Sequence, residues 1–199
     1  MSVIATITTS VDGFVTGPDD RAGQGLGIGG ERLHHWVMGG PWTYEGGHDT
    51  RAATGADRQH LDELTARMGA GVCGRGMYEA AGAWGGTNPF GGPMFVVTHR
   101  TEDAPDPSSG FTFVEGVAEA VQRAREVADG KDVSIAGGAD VIRQALAAGL
   151  VDELALTTAP VILGAGKRLF DGFHHDLDLR IVDVVRSDLA VHTRYEVVR

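Results

Sequence analysis

Between Val133 and Leu146 a short apolar run, Val133-Ser-Ile-Ala136, passes through Gly137 and Gly138 into Val141, Ile142, Ala145 and Leu146 at helical spacing. Such a unit is a buried strand feeding directly into a helix, and a chain that repeats it has few folds open to it. The strands must lie mostly parallel, with helices over both faces. The unit does repeat. Leu61, Leu64 and Met68 mark a helix ahead of the buried run Gly71-Val-Cys-Gly74; Pro93-Met-Phe-Val-Val-Thr98 and Phe111-Thr-Phe-Val114 are further strands; Val117, Val121, Ala124, Val127 and Ala128 form a helix face. The β-branched run Val3 to Thr9 is a first strand, and Gly149 stands where a helix C-cap belongs. Near the carboxyl end, Leu177 to Ile181 and Val191 to Val197 alternate with period two around Ser187-Asp188, which predicts an antiparallel hairpin at one edge. The fold class is therefore α/β: a mostly parallel sheet flanked by helices, with an antiparallel C-terminal hairpin.

The remaining segments read as loops. Ser10 to Gly30, with glycines at 17, 23, 25, 27, 29 and 30, is expected to be a mobile loop; a short helix covers Glu31 to Met38 and stops at Gly39-Gly-Pro41; a second glycine-bearing loop runs to about Gly55. A chain of 199 residues with 42% hydrophobic content suits one domain over 1–199. Its formal charge of −10 would repel both a phosphate backbone and an anionic leaflet, so neither nucleic acid nor membrane is an expected partner. The start, MSVIATITTSVDG, has no basic segment before an apolar core, and a cytoplasmic location is expected. The single Cys73 excludes an internal disulfide and reads as a small buried residue.

Glycines at a strand-to-helix junction let a bulky anion reach the unpaired N–H groups and positive dipole of the helix start. Gly137 and Gly138 could equally relieve packing between strand and helix. Two neighbouring strand ends add weight to the first reading. Gly74-Arg-Gly-Met-Tyr-Glu79 brings an arginine fork, and Thr98-His99-Arg100 a hydroxyl and a second arginine. Together they suit a nucleotide laid across the carboxyl edge of the sheet, with Arg75 and Arg100 toward a 2′-phosphate.

The segments Ser10-Val-Asp-Gly-Phe14, Gly74-Arg-Gly-Met-Tyr-Glu79, Ala136-Gly-Gly-Ala-Asp140, Leu150-Val-Asp-Glu-Leu154, Pro160-Val-Ile-Leu-Gly164 and Arg168-Leu-Phe170 resemble the dihydrofolate-reductase-like family. More narrowly, they are similar to the reductase domain of the bifunctional riboflavin-biosynthesis deaminase/reductase and its stand-alone relatives. The resemblance runs from Val3 to Tyr195. It implies a three-layer fold and an NADPH-dependent reductase of a pyrimidine- or pteridine-like ring, similar to 5-amino-6-(5-phosphoribosylamino)uracil reductase. Carried over by position, Ala136, Gly137, Gly138 and Ala139 would take the cofactor pyrophosphate, Gly74, Arg75 and Gly76 the adenosine-side phosphates, and Thr98, His99 and Arg100 the 2′-phosphate region. Val15, Thr16 and Gly17 would lie over the nicotinamide, with Ala5 nearby. Where these reductases carry an aspartate-proline and an arginine, this chain reads Ala83-Trp-Gly-Gly-Thr-Asn-Pro-Phe90. An enzyme of the same fold with another substrate is the alternative that this departure leaves open. The zinc deaminase signature is missing.

Hydride transfer to a C=N or C=O bond needs a proton donor beside it. Asp12 at the mouth of the first strand is the first candidate, and Glu31 and His34 on one helix face follow. Trp42 and Trp84 are loop-borne rings able to stack on a flat substrate. His34-His35 and His174-His175 lack a third ligand at suitable spacing, so no metal is expected. A nucleotide- or flavin-binding protein without catalysis stays open as a second class. The β-branched edge from Leu177 to Val198 predicts a homodimer.

Overall fold

The computed structural model describes residues 1–45 and 52–199; residues 46–51, within the second glycine-bearing loop of the sequence reading, lie outside the described residues. The strands are β1 (Val3–Ser10), β2 (Phe14–Thr16), β3 (Met68–Gly74), β4 (Met94–Val97), β5 (Phe111–Val114), β6 (Asp132–Ile135), β7 (Glu153–Ala159), β8 (Lys167–Arg168), β9 (Leu179–Arg186) and β10 (Val191–Val197). The helices are α1 (His35–Met38), α2 (Gly55–Arg67), α3 (Arg75–Ala80), α4 (Val117–Val127) and α5 (Ala139–Ala147).

Eight strands form one sheet in the order β5-β4-β3-β6-β1-β7-β10-β9. Every pair from β5 to β7 is parallel. β10 pairs antiparallel with both β7 and β9, its partner in the predicted hairpin, so within this sheet it alone runs against the other strands. β2 and β8 make a separate antiparallel pair above the end of β1. Right-handed crossovers place the connections β3-α3-β4 and β6-α5-β7, which travel in opposite directions, on opposite faces. The core divides the same way. Val3, Ala5, Val72, Phe95, Val133, Ile135 and Leu154 pack with α4 and α5, whereas Cys73, Met94, Val96, Phe111 and Phe113 pack with Met77, Tyr78 and Trp84. Val72 and Cys73, adjacent on β3, go to opposite layers as the pleat requires. Cys73 is wholly buried, and burial pushes its thiol up to about 12. At the end of α5, Gly149 has φ +64 and the Leu150 amide donates to the Ala145 carbonyl at 3.0 Å, the expected glycine cap.

Three expectations need correction. Met68 opens β3 instead of closing α2, because the helix ends at Arg67 and its C-cap Met68 is already extended. The segment 31–38 is a 3-10 turn over Gly30–His34 followed by only four residues of α1. The loop from Ser10 to Gly30 carries its own backbone hydrogen bonds, Gly17 N to Leu26 O at 2.7 Å and Ile28 N to Pro18 O at 2.8 Å. Gly17 and Gly27 are glycines because a Cβ would run into the facing carbonyls of Ile28 and Gly17. Among the described residues, no helix is long and apolar enough to cross a membrane.

Candidate functional site

Neighbouring strands β3 and β6 send their chains in opposite directions, and ligands of open α/β sheets bind beyond the strand ends at such a switch point. The ladder between β1 and β6 stops at Ala5↔Ile135, while that between β1 and β7 continues to Ser10↔Ala159. A crevice therefore opens beside the second half of β1. Its far wall is the Gly137-Gly138 junction.

The two glycines are there for different reasons. Gly137 has φ +123, and a Cβ on it would stand 3.1 Å from Met77 Sδ and 3.5 Å from Ile7 Cδ1. Gly138, the N-cap of α5, has an ordinary φ of −80, and a Cβ there would meet nothing within 4 Å. The N-cap glycine brings no side-chain cap to the first turn of α5. Asp140, in that turn, directs its carboxylate at Gln144 (2.6 Å) and Arg143 (3.3 Å). The open space over Gly138, the uncapped helix start and its dipole make a cradle that an anion fits. Ala136 is tied to β3 through its amide to Val72 O, and Gly74 N donates to Gly137 O, both at 2.9 Å. Gly74 itself answers to packing, since a Cβ would stand 2.9 Å from Val141 Cγ2. Gly76 is exposed with open space above it, and Ala139 is buried.

Arg75 is already engaged. Its terminal nitrogens grip both oxygens of Asp103 at 2.9 and 2.6 Å, its Nε donates to Glu79 at 2.8 Å, and its guanidinium lies 4.7 Å from the Phe113 ring centre. The guanidinium holds the Asp103 carboxyl below the usual range. Arg100 donates to the same Glu79 oxygen at 2.8 Å. Thr98 is spent on a turn, its hydroxyl accepting from Arg100 N at 3.0 Å, and His99 projects into solvent 3.7 Å from Glu115.

At the β1 end, Ala5 is wholly buried in mid-strand between β6 and β7. Thr6, Ile7 and Thr8, which lie past the point where the β1–β6 ladder stops, border the crevice. Their alternating hydroxyls in an apolar strand were the available signal. Val15 is buried. The Thr16 hydroxyl is buried with no hydrogen-bond partner among the described residues.

The acid–base candidates separate. Asp12 is a clamp: Oδ1 accepts from Ser10 Oγ (2.6 Å) and Leu163 N (3.1 Å), and Oδ2 from Gly164 N (2.8 Å). The Ser10 hydroxyl and the Gly164 and Leu163 amides, against some desolvation, hold its carboxyl at about 2. In the chain by itself it is therefore ionised at neutral pH. His34 is pushed down to about 4 by burial and is a neutral imidazole. Glu31 stays on the 3-10 turn, its carbonyl accepting from Trp42 Nε1 at 2.9 Å.

Trp42 also packs edge-on against Tyr44 at 4.9 Å, whose hydroxyl accepts from Leu26 N at 2.7 Å. These rings pin the glycine loop. Trp84 is not in the crevice: its ring stacks on Phe111 at 5.6 Å, within the second core layer near the β5 edge. Its left-handed backbone, φ 47, turns the ring inward.

Sequence reasoning missed a buried polar cluster behind α1. His192 Nε2 meets Asp57 Oδ1 at 2.8 Å, and its Nδ1 meets Thr157 Oγ1 at 2.9 Å. His60 stacks on His192 at 4.0 Å, and burial, reinforced by His192, pushes it down to about 4.

Residues 1–193 match the family described as the RibD C-terminal domain. Two uncharacterized proteins of Bacillus subtilis (strain 168) are similar: YyaP is 34% identical over 87 residues, 44% of this chain and 45% of YyaP, and YwjB 30% over 84 residues, 42% and 48% respectively. The matched regions thus span about half the length of these relatives. Among solved structures, a pyrimidine reductase-like protein from Corynebacterium diphtheriae aligns with TM-score 0.60 at 18% identity, over 100% of this chain and 92% of that one. The diaminohydroxyphosphoribosylaminopyrimidine deaminase/5-amino-6-(5-phosphoribosylamino)uracil reductase of Thermotoga maritima gives 0.62 at 15%, over 99% of this chain and 56% of that one. Dihydrofolate reductase from Enterococcus faecalis, complexed with NADP(H), gives 0.59 at 16%, over 98% and 96%. The expected dihydrofolate-reductase-like architecture is thereby shown.

Proposed function

The chain belongs to the RibD C-terminal domain family, and on that premise we propose that it is an NADPH-dependent reductase acting on a pyrimidine- or pteridine-like ring, similar to 5-amino-6-(5-phosphoribosylamino)uracil reductase. One observation carries the reading: the open cradle over Gly138, at an uncapped helix start, stands at the switch point of a parallel sheet. The Thermotoga maritima and Enterococcus faecalis neighbours, a uracil reductase and an NADP(H) complex, point to the same chemistry.

In this reading Gly137, Gly138 and Ala139 hold the pyrophosphate, and Arg75 and Arg100 the 2′-phosphate. Thr16 offers its unpaired hydroxyl near the crevice mouth. The nicotinamide, when bound, supplies the hydride. The chain's own part is to align the ring in the crevice beside Thr6 and Thr8, exclude water with the glycine loop, and deliver a proton. Asp12 shapes the floor by holding residues 163 and 164. Glu31, on the 3-10 turn Gly30–His34, is the remaining candidate for handing over the proton.

A second reading has one observation in its favour. Neither Asp12 nor His34 keeps an acidic proton at neutral pH, as a nucleotide- or flavin-binding protein without catalysis would allow. Absorbance at 340 nm with a panel of pyrimidines and pteridines separates the two. Oxidation of NADPH by one of them supports the reductase; a cofactor-induced rise in Tm with no oxidation supports the binding protein. No rise in Tm with either NADPH or NADH rejects both.

A further inference from the structure

The ion pair between Arg75 and Asp103 occupies the place where the proposed cofactor would present its extra phosphate. We propose that the Asp103 carboxylate is a displaceable counter-ion that sets cofactor selectivity, filling the Arg75 fork in the free chain and yielding it to a ribose 2′-phosphate. This inference rests on the reading of the crevice as a nicotinamide dinucleotide site.

The geometry distinguishes the fixed partners from the removable one. Arg75 has only 17% of its side chain exposed and lies over the Phe113 ring, so the guanidinium cannot swing away to meet a ligand elsewhere. Its Nε belongs to Glu79, and Glu79 is held a second time by Arg100. The two terminal nitrogens are the face a phosphate would need, and both are taken by Asp103. Asp103 is 48% exposed. It sits on a short turn, closed by Ala104 N to Thr101 O at 3.3 Å, between the Thr98 hydroxyl turn and the Asp106-capped 3-10 turn Pro107–Ser109. Rotation of its side chain carries the carboxylate into water without disturbing either flank.

Charge balance then requires exchange, not addition. Arg75 and Arg100 carry two positive charges, Glu79 and Asp103 two negative ones. A phosphate dianion added to this set would crowd a third acidic group around one guanidinium, whereas replacing Asp103 keeps a bidentate partner on the fork. Asp103 is the more exposed half of the pair, so its carboxylate on leaving is taken up by water while the dianion takes its place. A cofactor lacking the 2′-phosphate leaves Asp103 where it is, on the Arg75 fork. The selectivity for the phosphorylated cofactor is thereby set below what two arginines alone would give.

The test is calorimetric titration of the intact chain and of Asp103→Asn and Asp103→Ala with 2′,5′-ADP and with 5′-ADP, circular dichroism verifying the fold. Removing the competing carboxylate is expected to tighten 2′,5′-ADP about fivefold, the equivalent of ~1 kcal/mol, and to leave 5′-ADP within about twofold. Weaker binding of 2′,5′-ADP to both variants would mean that Asp103 positions Arg75 and would overturn the proposal, as would an equal change for both nucleotides or none for either. If the parent chain binds neither nucleotide, nor NADPH, the reductase reading falls together with it. NADPH binding by the parent with unchanged variants removes the counter-ion role alone.

Discussion

Gly137 and Gly138 look interchangeable in the sequence, yet their substitutions should fail in opposite ways. At Gly137 the φ of +123 lies outside the range of L side chains, and Met77 Sδ waits 3.1 Å from the absent Cβ. Gly137→Ala should therefore cost stability, about 1–3 kcal/mol by urea titration, whether or not any ligand is present. At Gly138 the backbone accepts a side chain and the space is open. Gly138→Val should keep its circular dichroism and nearly its Tm, but lose the stabilisation given by NADPH, about 2.7 kcal/mol at a hundred times Kd. A Gly138→Val chain that responds to NADPH as the parent does would reduce the pair to a packing device. The pair was legible in the sequence, but its φ values were not, because conformation at a glycine leaves no trace in the residue type. Arg75 was likewise legible as a cation, while its partner Asp103, 28 positions on, was not. Of the partners of Asp12, Ser10 stands two positions away, whereas the Leu163 and Gly164 amides lie 151 and 152 residues off and were not legible.

At the scale of elements, the junctions with strong periodicity were readable and those stabilised by buried polar pairs were not. β3, β4 and β6 are buried on both faces and announce themselves as apolar runs, and β5 does so although its Thr112 is exposed at the sheet edge. β7, Glu153-Leu-Ala-Leu-Thr-Thr-Ala159, went unassigned although it lies between β1 and β10. Its Thr157 is buried because His192 takes the hydroxyl as a partner, and such a partner is visible only once β10 and α2 are in place. That network also explains how α2 stays on the sheet with so weak a helical apolar pattern. The side chains of His192 and Asp57 are only 1% and 5% exposed. Asp57→Ala strands a buried imidazole nitrogen, and the expected loss is about 1–3 kcal/mol in a urea titration, with Asp57→Asn losing less because it keeps an acceptor. An unchanged urea midpoint in Asp57→Ala would show that α2 is held by other contacts.

At the scale of the whole molecule, the sheet is protected at the β5 edge by its aromatic layer but left open at β9. Leu179, Ile181 and Val184 pair with Val197, Tyr195 and Thr193, so they share one face of the hairpin. They are 41%, 63% and 55% exposed. An edge strand with unpaired backbone and an apolar face is a surface that a lone soluble chain rarely leaves bare. We propose that a second copy covers it, since a self-complementary patch closes under two-fold symmetry without exposing a new edge. The charge of −10 on each copy opposes association at long range, and salt should relieve it. Light scattering at micromolar concentration is therefore expected to show a dimer whose dissociation constant falls as ionic strength rises. Ile181→Asp, which places a charge in the middle of the apolar stripe, should give a monomer. The cradle at β3 and β6 lies on the far side of β1, β7 and β10 from this edge. The monomeric variant should accordingly bind 2′,5′-ADP as the parent does, which would make β9 an assembly surface and not part of the binding crevice. A parent chain that is monomeric at every salt concentration would leave the stripe without this role.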